Sequence, residues 1–369
     1  MCSESTPEHP KPKRSLFSRS GRDPGAYERL VDADRLDLLR YARHLTVKAE
    51  DGSLNPKNMQ KYLPYLRSIP KLRTLTLGTF HLHPHIPVFY EHFGMFTSTL
   101  RHLDIRNAEC GAPELLYIIC QFPLLEDLTI MSPTNGIILP PGHPVPTITQ
   151  SPPLRGKLVL VQAWSRELSE GLAAFPGGLN FRSLELSWCN NLEVIFAVCH
   201  TVTSISYLWR GPGIDGELNP SVQPHIVIRP FGTTVTPLDL KRNVVLERFE
   251  FDASLTSLCQ IHGWIHRTLQ TITSPLFNEF VIWLPDQVIP WHPMRGDGWK
   301  VVDGLLNVLA ERNPDFRVVF KGCFYSFFQG NLDGVRSFIT SYLPLISSNR
   351  LVKFEYARVG SRFGRSDGL

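Results

Sequence analysis

Charged residues are somewhat few in this chain, at 20% of the total, close to or slightly below the usual fraction. The 38 Lys and Arg against 34 Asp and Glu leave a net charge of +4. A nucleic-acid binder gathers basic residues on one face or stripe. Here the signs alternate along the chain, which argues against that class. Long apolar runs are missing as well. The richest window, Leu115 to Leu125, is broken by Gln121 and Pro123. It falls short of the roughly 18 apolar residues that a spanning helix needs, so no membrane partner is expected. Before Arg22 the longest apolar run is Leu16-Phe17, too short for a secretory signal core. The seven cysteines are widely spaced and none forms a C-x-x-C pair. They are expected to be reduced core residues of an intracellular protein, cytoplasmic or nuclear. No phosphate-binding G-x-x-x-x-G-K-[ST] and no H-E-x-x-H occurs. No cofactor is expected, and no reaction can be read from the chain.

What the chain does contain is a short apolar triplet that returns. Leu72/Leu75/Leu77 has the L-x-x-L-x-L spacing of a leucine-rich-repeat strand. The same frame recurs at Leu100/Leu103/Ile105, Leu125/Leu128/Ile130, Phe181/Leu184/Leu186, Leu246/Phe249/Phe251, Phe277/Phe280/Ile282 and Leu351/Phe354/Tyr356. Weaker copies sit at Leu45/Val47, Leu158/Leu160 and Val318/Phe320, and two degenerate strands, one near Ile205–Leu208 and another near Ile226–Ile228, are expected to fill the long step from Leu184 to Phe249. From Leu45 through Leu75, Leu103, Leu128 and Leu158 to Leu184 the copies are 25–30 residues apart. Repeats of that period stack, because no single unit can bury its apolar face alone.

Helix-capable segments lie between the triplets: Lys57–Ile69, Pro113–Cys120, Ser165–Phe175, Leu192–His200, Leu255–Leu269, Val301–Glu311 and Leu332–Ile346. The last should bend or end at Pro344. Prolines at 70, 123 and 176 turn the chain from helix to strand. Strand, crossover and strand repeated in one direction require parallel pairing. The predicted fold is an α/β solenoid of irregular leucine-rich repeats, with a curved parallel sheet and helices on its convex side. Leu75, Leu77, Leu103, Ile105, Leu128, Ile130, Leu184 and Leu186 should be buried, since alternate strand residues face one side.

Domain limits follow composition. Residues 1–35 read as a disordered basic tail, with Lys11-Pro12-Lys13-Arg14 as a candidate import signal. Residues 36–360 form the repeat domain, with an alternative sub-boundary at 210–240, and 361–369 is a disordered C-terminal tail. Ser132–Pro153, Arg210–Pro237 and Leu284–Gly298 are rich in Pro and Gly and read as long loops.

The strand cores Leu72-Arg73-Thr74-Leu75-Thr76-Leu77, Leu100-Arg101-His102-Leu103-Asp104-Ile105 and Leu125-Glu126-Asp127-Leu128-Thr129-Ile130 resemble the leucine-rich-repeat region of F-box-like proteins of mushroom-forming fungi. Arg40–Val47 is similar to the first strand after the F-box linker in that family. The resemblance implies the substrate-binding part of a ubiquitin-ligase receptor, and with it recruitment of the adaptor Skp1. Residues 1–35 lack the apolar content of an F-box, so Skp1 binding through them is not expected. Regular repeats also place Asn or Cys three residues after the last strand Leu. Here those positions hold Phe80, Ala108, Pro133, Cys189, Ser254 and Pro285, so the usual side-chain ladder should be mostly absent.

The partner site is expected on the strand residues that point away from the core. These are Thr76, Asp104, Thr129, Glu185, Glu250 and Glu355 in one row, flanked by His102, Asp127, Arg248 and Lys353. Four carboxylates in that row would favour a basic protein partner. The competing class is a metal protein or enzyme using His81, His83 and His85, whose alternate positions face one way in an extended segment. His262 and His266 are four apart on a helix, but their apolar neighbours favour a place at the core edge. The aromatics Trp283, Trp291, Trp299, Phe324, Tyr325, Phe327 and Phe328 could fill a core or anchor an interface.

Overall fold

The computed structural model describes residues 36–48, 66–67, 69–81, 93–109, 112–131, 152–161, 166–175, 178–187, 192–208, 237–252, 258–284, 298–322 and 332–356. Both tails, most of the Lys57–Ile69 segment, most of each long loop and Ile226–Ile228 lie outside the described residues. So does most of the alternative boundary at 210–240. The chain forms two compact units, Met1–Pro152 and Pro153–Leu369.

In the first unit a 3-10 turn, Leu36–Tyr41, leads into β1, His44–Lys48. Then follow β2, Thr74–His81, β3, His102–Glu109, and β4, Asp127–Met131. Each strand pairs in parallel with the next. A 3-10 turn at Gly94–Phe96 precedes β3, and helix α1, Ala112–Cys120, joins β3 to β4. The core-facing positions Leu45, Leu75, Leu77, Leu103, Ile105, Leu128 and Ile130 are all buried. Phe80 and Ala108 pair with each other inside β2 and β3. These two sites, where regular repeats turn, are extended strand here.

The second unit repeats the plan. Its strands are β5, Lys157–Val161, β6, Ser183–Ser187, β7, Ser204–Leu208, β8, Arg248–Asp252, β9, Glu279–Trp283, β10, Arg317–Gly322, and β11, Val352–Tyr356. All neighbours are parallel and in sequence order. The crossovers contain α2, Arg166–Ala173, α3, Leu192–Val198, α4, Leu258–Leu269, and α5, Gly298–Arg312. Trp264 of α4 stacks on Tyr207 at 5.4 Å and lies against Phe251 at 5.1 Å. Alternation in β7 and β8 therefore aims the large residues at the helices. Phe249 and Phe280 stack across strands at 5.8 Å.

The last crossover breaks where the proline requires. Helix α6, Leu332–Tyr342, ends one residue before Leu343, and Pro344 opens α7, Pro344–Ser348. The buried carboxylate of Asp303, from α5, accepts the Leu345 N–H at 2.9 Å and the Ile346 N–H at 3.1 Å. It thus caps α7 from another helix, a task normally done by the residue just before the helix.

Within each unit adjacent repeats are tied together just before the strands. The Arg43 carbonyl takes the N–H groups of both Arg73 and Thr74. Those of Arg73, Arg101, Gly156, Arg182, Thr203 and Glu247 repeat the arrangement with the following repeat. Side chains add to it in the second unit. Thr201 donates to the Phe181 carbonyl at 3.1 Å, Ser274 to Val244 at 3.0 Å and Asn313 to Phe277 at 3.1 Å. The buried Asn243 amide donates to the Cys199 carbonyl. Among the described residues these bonds form a side-chain ladder on the helix-to-strand turns of the second unit.

One register differs from the sequence expectation. The triplet frame aligns Phe354 with Phe280. Instead Phe354 lies opposite Phe320, which faces Ile282, and Val352 lies opposite Val318, which faces Phe280. The frame slips by two residues. A two-residue slip keeps each side chain on its face, so core alternation alone cannot detect it.

Candidate functional site

On β1–β4 the residues between the core positions are small or charged. Thr76, Asp104 and Thr129 stand side by side in register, as expected. All three are half-buried. Asp104 is not a free carboxylate. Arg106, two residues on and so on the same face, donates Nε to both carboxylate oxygens at 3.0 Å and Nη2 at 2.6 Å. This hydrogen bonding raises the Arg106 guanidinium above its ordinary value; burial opposes the shift and the Asp104 charge adds to it. One row over, His102 Nδ1 meets Asp127 Oδ2 at 2.5 Å, and Arg101 pairs with Glu126.

The second unit presents a larger arrangement on β8–β11. Arg248 and Glu279 are opposite in register, as are Glu279 and Arg317. Glu279 accepts from both arginines at 2.7 Å. Arg248 also reaches Glu250 at 2.5 Å. Glu250 takes the Trp283 indole N–H at 2.6 Å. Lys321 sits 5.8 Å from the centre of the Trp283 ring and 3.3 Å from Glu355, to which Lys353 donates at 2.7 Å. These groups surround Val281 and Val319, neighbours in register and each 0% exposed. Together the side chains form a polar rim about an apolar floor. The Lys353 hydrogen bond, joined by Lys321, holds the Glu355 carboxyl below its ordinary value, although burial pushes the other way.

Two expectations are corrected. Glu355 is not in one row with Glu250. Glu250 is level with Val281, Val319 and Lys353, while Glu355 is level with Lys321 and Trp283, one pleat further on. The cause is the slip in β11. The row is also not a negative stripe. Asp104, Glu185, Glu250 and Glu355 pair with Arg106, Lys157, Arg248 and the two lysines 321 and 353. The partners stand two residues along the same strand or on the neighbouring one, where the pleat brings them to the same face. The i, i+2 spacings Asp104/Arg106, Arg248/Glu250 and Lys353/Glu355 were the available sequence sign of this neutralisation.

Comparison with family models, curated proteins and solved structures gave no match. The chemistry rests on geometry alone.

His81 closes β2, while His83 and His85 lie outside the described residues. Among the described residues no group of three His, Cys, Asp or Glu is placed to hold a metal, and no helix is long and apolar enough to cross a membrane. The His262 ring of α4 occupies the space that a Cβ at Gly298 would need. His266 meets Gln270 at 3.2 Å. These two histidines serve helix contacts. Trp283 and Trp299 are buried; the other five aromatics of the group lie outside the described residues. Sequence reading missed Glu279, Arg317 and Lys321 as members of the rim. Lys321 follows the apolar run Val318-Val319-Phe320, where strand length was the only guide.

Proposed function

We propose that this chain is a non-catalytic protein-recognition scaffold, an irregular leucine-rich-repeat solenoid whose sheet face holds a protein partner. It is similar in role to the substrate-binding region of an F-box receptor, without Skp1 recruitment through residues 1–35. Repeat proteins use extended sheet faces in this way. The observation that carries the reading is the rim of Arg248, Glu250, Glu279, Trp283, Arg317, Lys321 and Glu355 over Val281 and Val319. Charges of both signs beside an indole suit a polypeptide with its own mixture of charges. They do not suit a phosphate backbone, because each rim cation already holds a carboxylate. A cytoplasmic or nuclear setting agrees with the free thiols of Cys120 and Cys199.

The test is partner capture from lysate with identification of the bound proteins, comparing wild type with Asp104→Lys/Glu185→Lys and with Arg317→Glu/Lys321→Glu. Melting curves serve as the folding control. Loss of a specific partner by either folded variant supports the reading. Recovery unchanged by both variants overturns it. Purified Skp1 should not be retained; retention that disappears on deleting residues 1–35 would show that the tail is an adaptor module.

A further inference from the structure

Among the described residues β11 is the last strand, bonded only to β10. The Val318 N–H donates to the Leu351 carbonyl at 2.9 Å. In a parallel ladder this fixes the main-chain groups of Lys353 and Glu355 toward β10 and those of Val352, Phe354 and Tyr356 outward. The outward groups bond no other described residue. The core face at this edge is also incompletely covered. Val318 and Phe320 are buried, whereas Val352 and Phe354 on the adjoining strand are half-buried, although Phe354 stacks on Phe320 at 5.6 Å.

We propose that β11 pairs edge to edge, antiparallel, with β11 of a second copy of this chain. The strand Val352-Lys353-Phe354-Glu355-Tyr356 is self-complementary about Phe354. A two-fold axis there sets Lys353 opposite Glu355 twice, Val352 opposite Tyr356 twice, and Phe354 opposite itself. The residues with outward main-chain groups become the hydrogen-bonded pairs. Lys353 and Glu355 become non-hydrogen-bonded pairs, whose side chains approach most closely. Both are accessible, at 57% and 34% side-chain exposure. Moving the axis to Lys353 or Glu355 places like charges opposite each other. Moving it between residues puts core-face side chains opposite the polar face. Only one register satisfies charge and face together. Such an isologous pairing closes on itself and does not propagate into a fibre.

The edge of β1 lacks these properties. His44-Leu45-Thr46-Val47-Lys48 turned about Thr46 sets His44 against Lys48, and its Leu45 and Val47 are already buried. The alternative use of Lys353 is protective, since a charged lysine on a short edge strand blocks pairing.

Sedimentation of the full chain from about 1 to 100 μM, the span of a weak to moderate association, decides between the two. Wild type should pass from monomer to dimer. Lys353→Glu and Glu355→Lys each place like charges opposite across the axis and should raise the dissociation constant about tenfold or more. An equimolar mixture of the two variants should dimerise again, because each acidic edge then faces a basic one. The intrachain Lys353–Glu355 pair is lost in both variants, so recovery cannot come from within a chain. Amide exchange of the wild type adds a measurement that needs no variant: protection at Phe354 should rise with concentration. A wild type that stays monomeric with flat exchange, single variants that dimerise as well as wild type, or a mixture no more dimeric than its components would each overturn the proposal.

Discussion

Strands β4 and β9 are built on the same frame, yet they meet their surroundings differently. In β4 burial alternates, with Leu128 and Ile130 enclosed and Asp127, Thr129 and Met131 half-buried. In β9 every residue from Glu279 to Trp283 is buried. The central outward position is Thr129 in one and Val281 in the other. A strand exposed on one face alternates apolar with polar, and a strand covered on both faces reads as a continuous apolar run. Phe280-Val281-Ile282-Trp283-Leu284 is such a run. The lesson is that a repeat frame assigns faces but does not say whether the second face is wet.

Removing a core side chain should do most damage and should not distinguish the two strands. Leu128→Ala is expected to cost about 2–5 kcal/mol and Phe280→Ala about 3–5 kcal/mol, measured by denaturant unfolding. Two similar losses would confirm that both strands share one core-facing register. Leu103→Ala should behave like Leu128→Ala, while Thr76→Ala and an Asp104→Ala change should each remain below about 1 kcal/mol.

The contrast itself is tested by the outward residues. Val281→Ala should cost about 2 kcal/mol because a fully buried valine is lost. Thr129→Ala should cost less than about 1 kcal/mol. Equal effects in the same unfolding assay would remove the distinction between a one-sided and a two-sided strand.

Two thiols extend the comparison to the units. Burial pushes the Cys120 thiol of the first unit up to about 11 and the Cys199 thiol of the second up to about 12. The neutral form is favoured in the folded state, so this contribution is whole below the ordinary thiol value of 9.0. It is lost as pH rises through the folded values. Iodoacetamide at neutral pH should therefore modify both slowly, Cys199 more slowly than Cys120, until denaturant is added. Faster native labelling of Cys199 would place it outside the core.

The smallest effect belongs to Glu355. Its carboxyl is held below the ordinary value of 4.5, so the associated stability is present above that pH and is lost as pH falls beneath it. The side chain is about one-third exposed and screened by solvent, so the contribution should stay under about 0.5 kcal/mol. Comparing acid unfolding of wild type and Glu355→Gln measures it; a larger difference would mean that the group is more enclosed than its rim position shows.

Much of the architecture was legible in the sequence. Among the described residues all eleven strands fall on the apolar triplets or their weaker and degenerate copies, including Ile205–Leu208, and Pro344 marks the break between α6 and α7. The candidate site was less so. Thr76, Asp104 and Thr129 were placed correctly because β2, β3 and β4 share one strict spacing. Glu355 was misplaced because the spacing before β11 permits two registers with the same faces.

Among the described residues the sequence by itself determined where strands and the crossover helices form and which strand residues face the core. Those follow from local periods of 2.0 and 3.6 residues and from proline's fixed backbone. Tertiary structure decided the rest. It set the slip of β11, buried Val281 and Val319 under a charged rim, and joined Asp104, Glu185, Glu250 and Glu355 to bases on their own or a neighbouring strand. It also placed Asn243 and Asn313 under carbonyls of the preceding repeat and Asp303 at the start of another helix. These depend on pairings between residues far apart in the chain, on which a local period is silent.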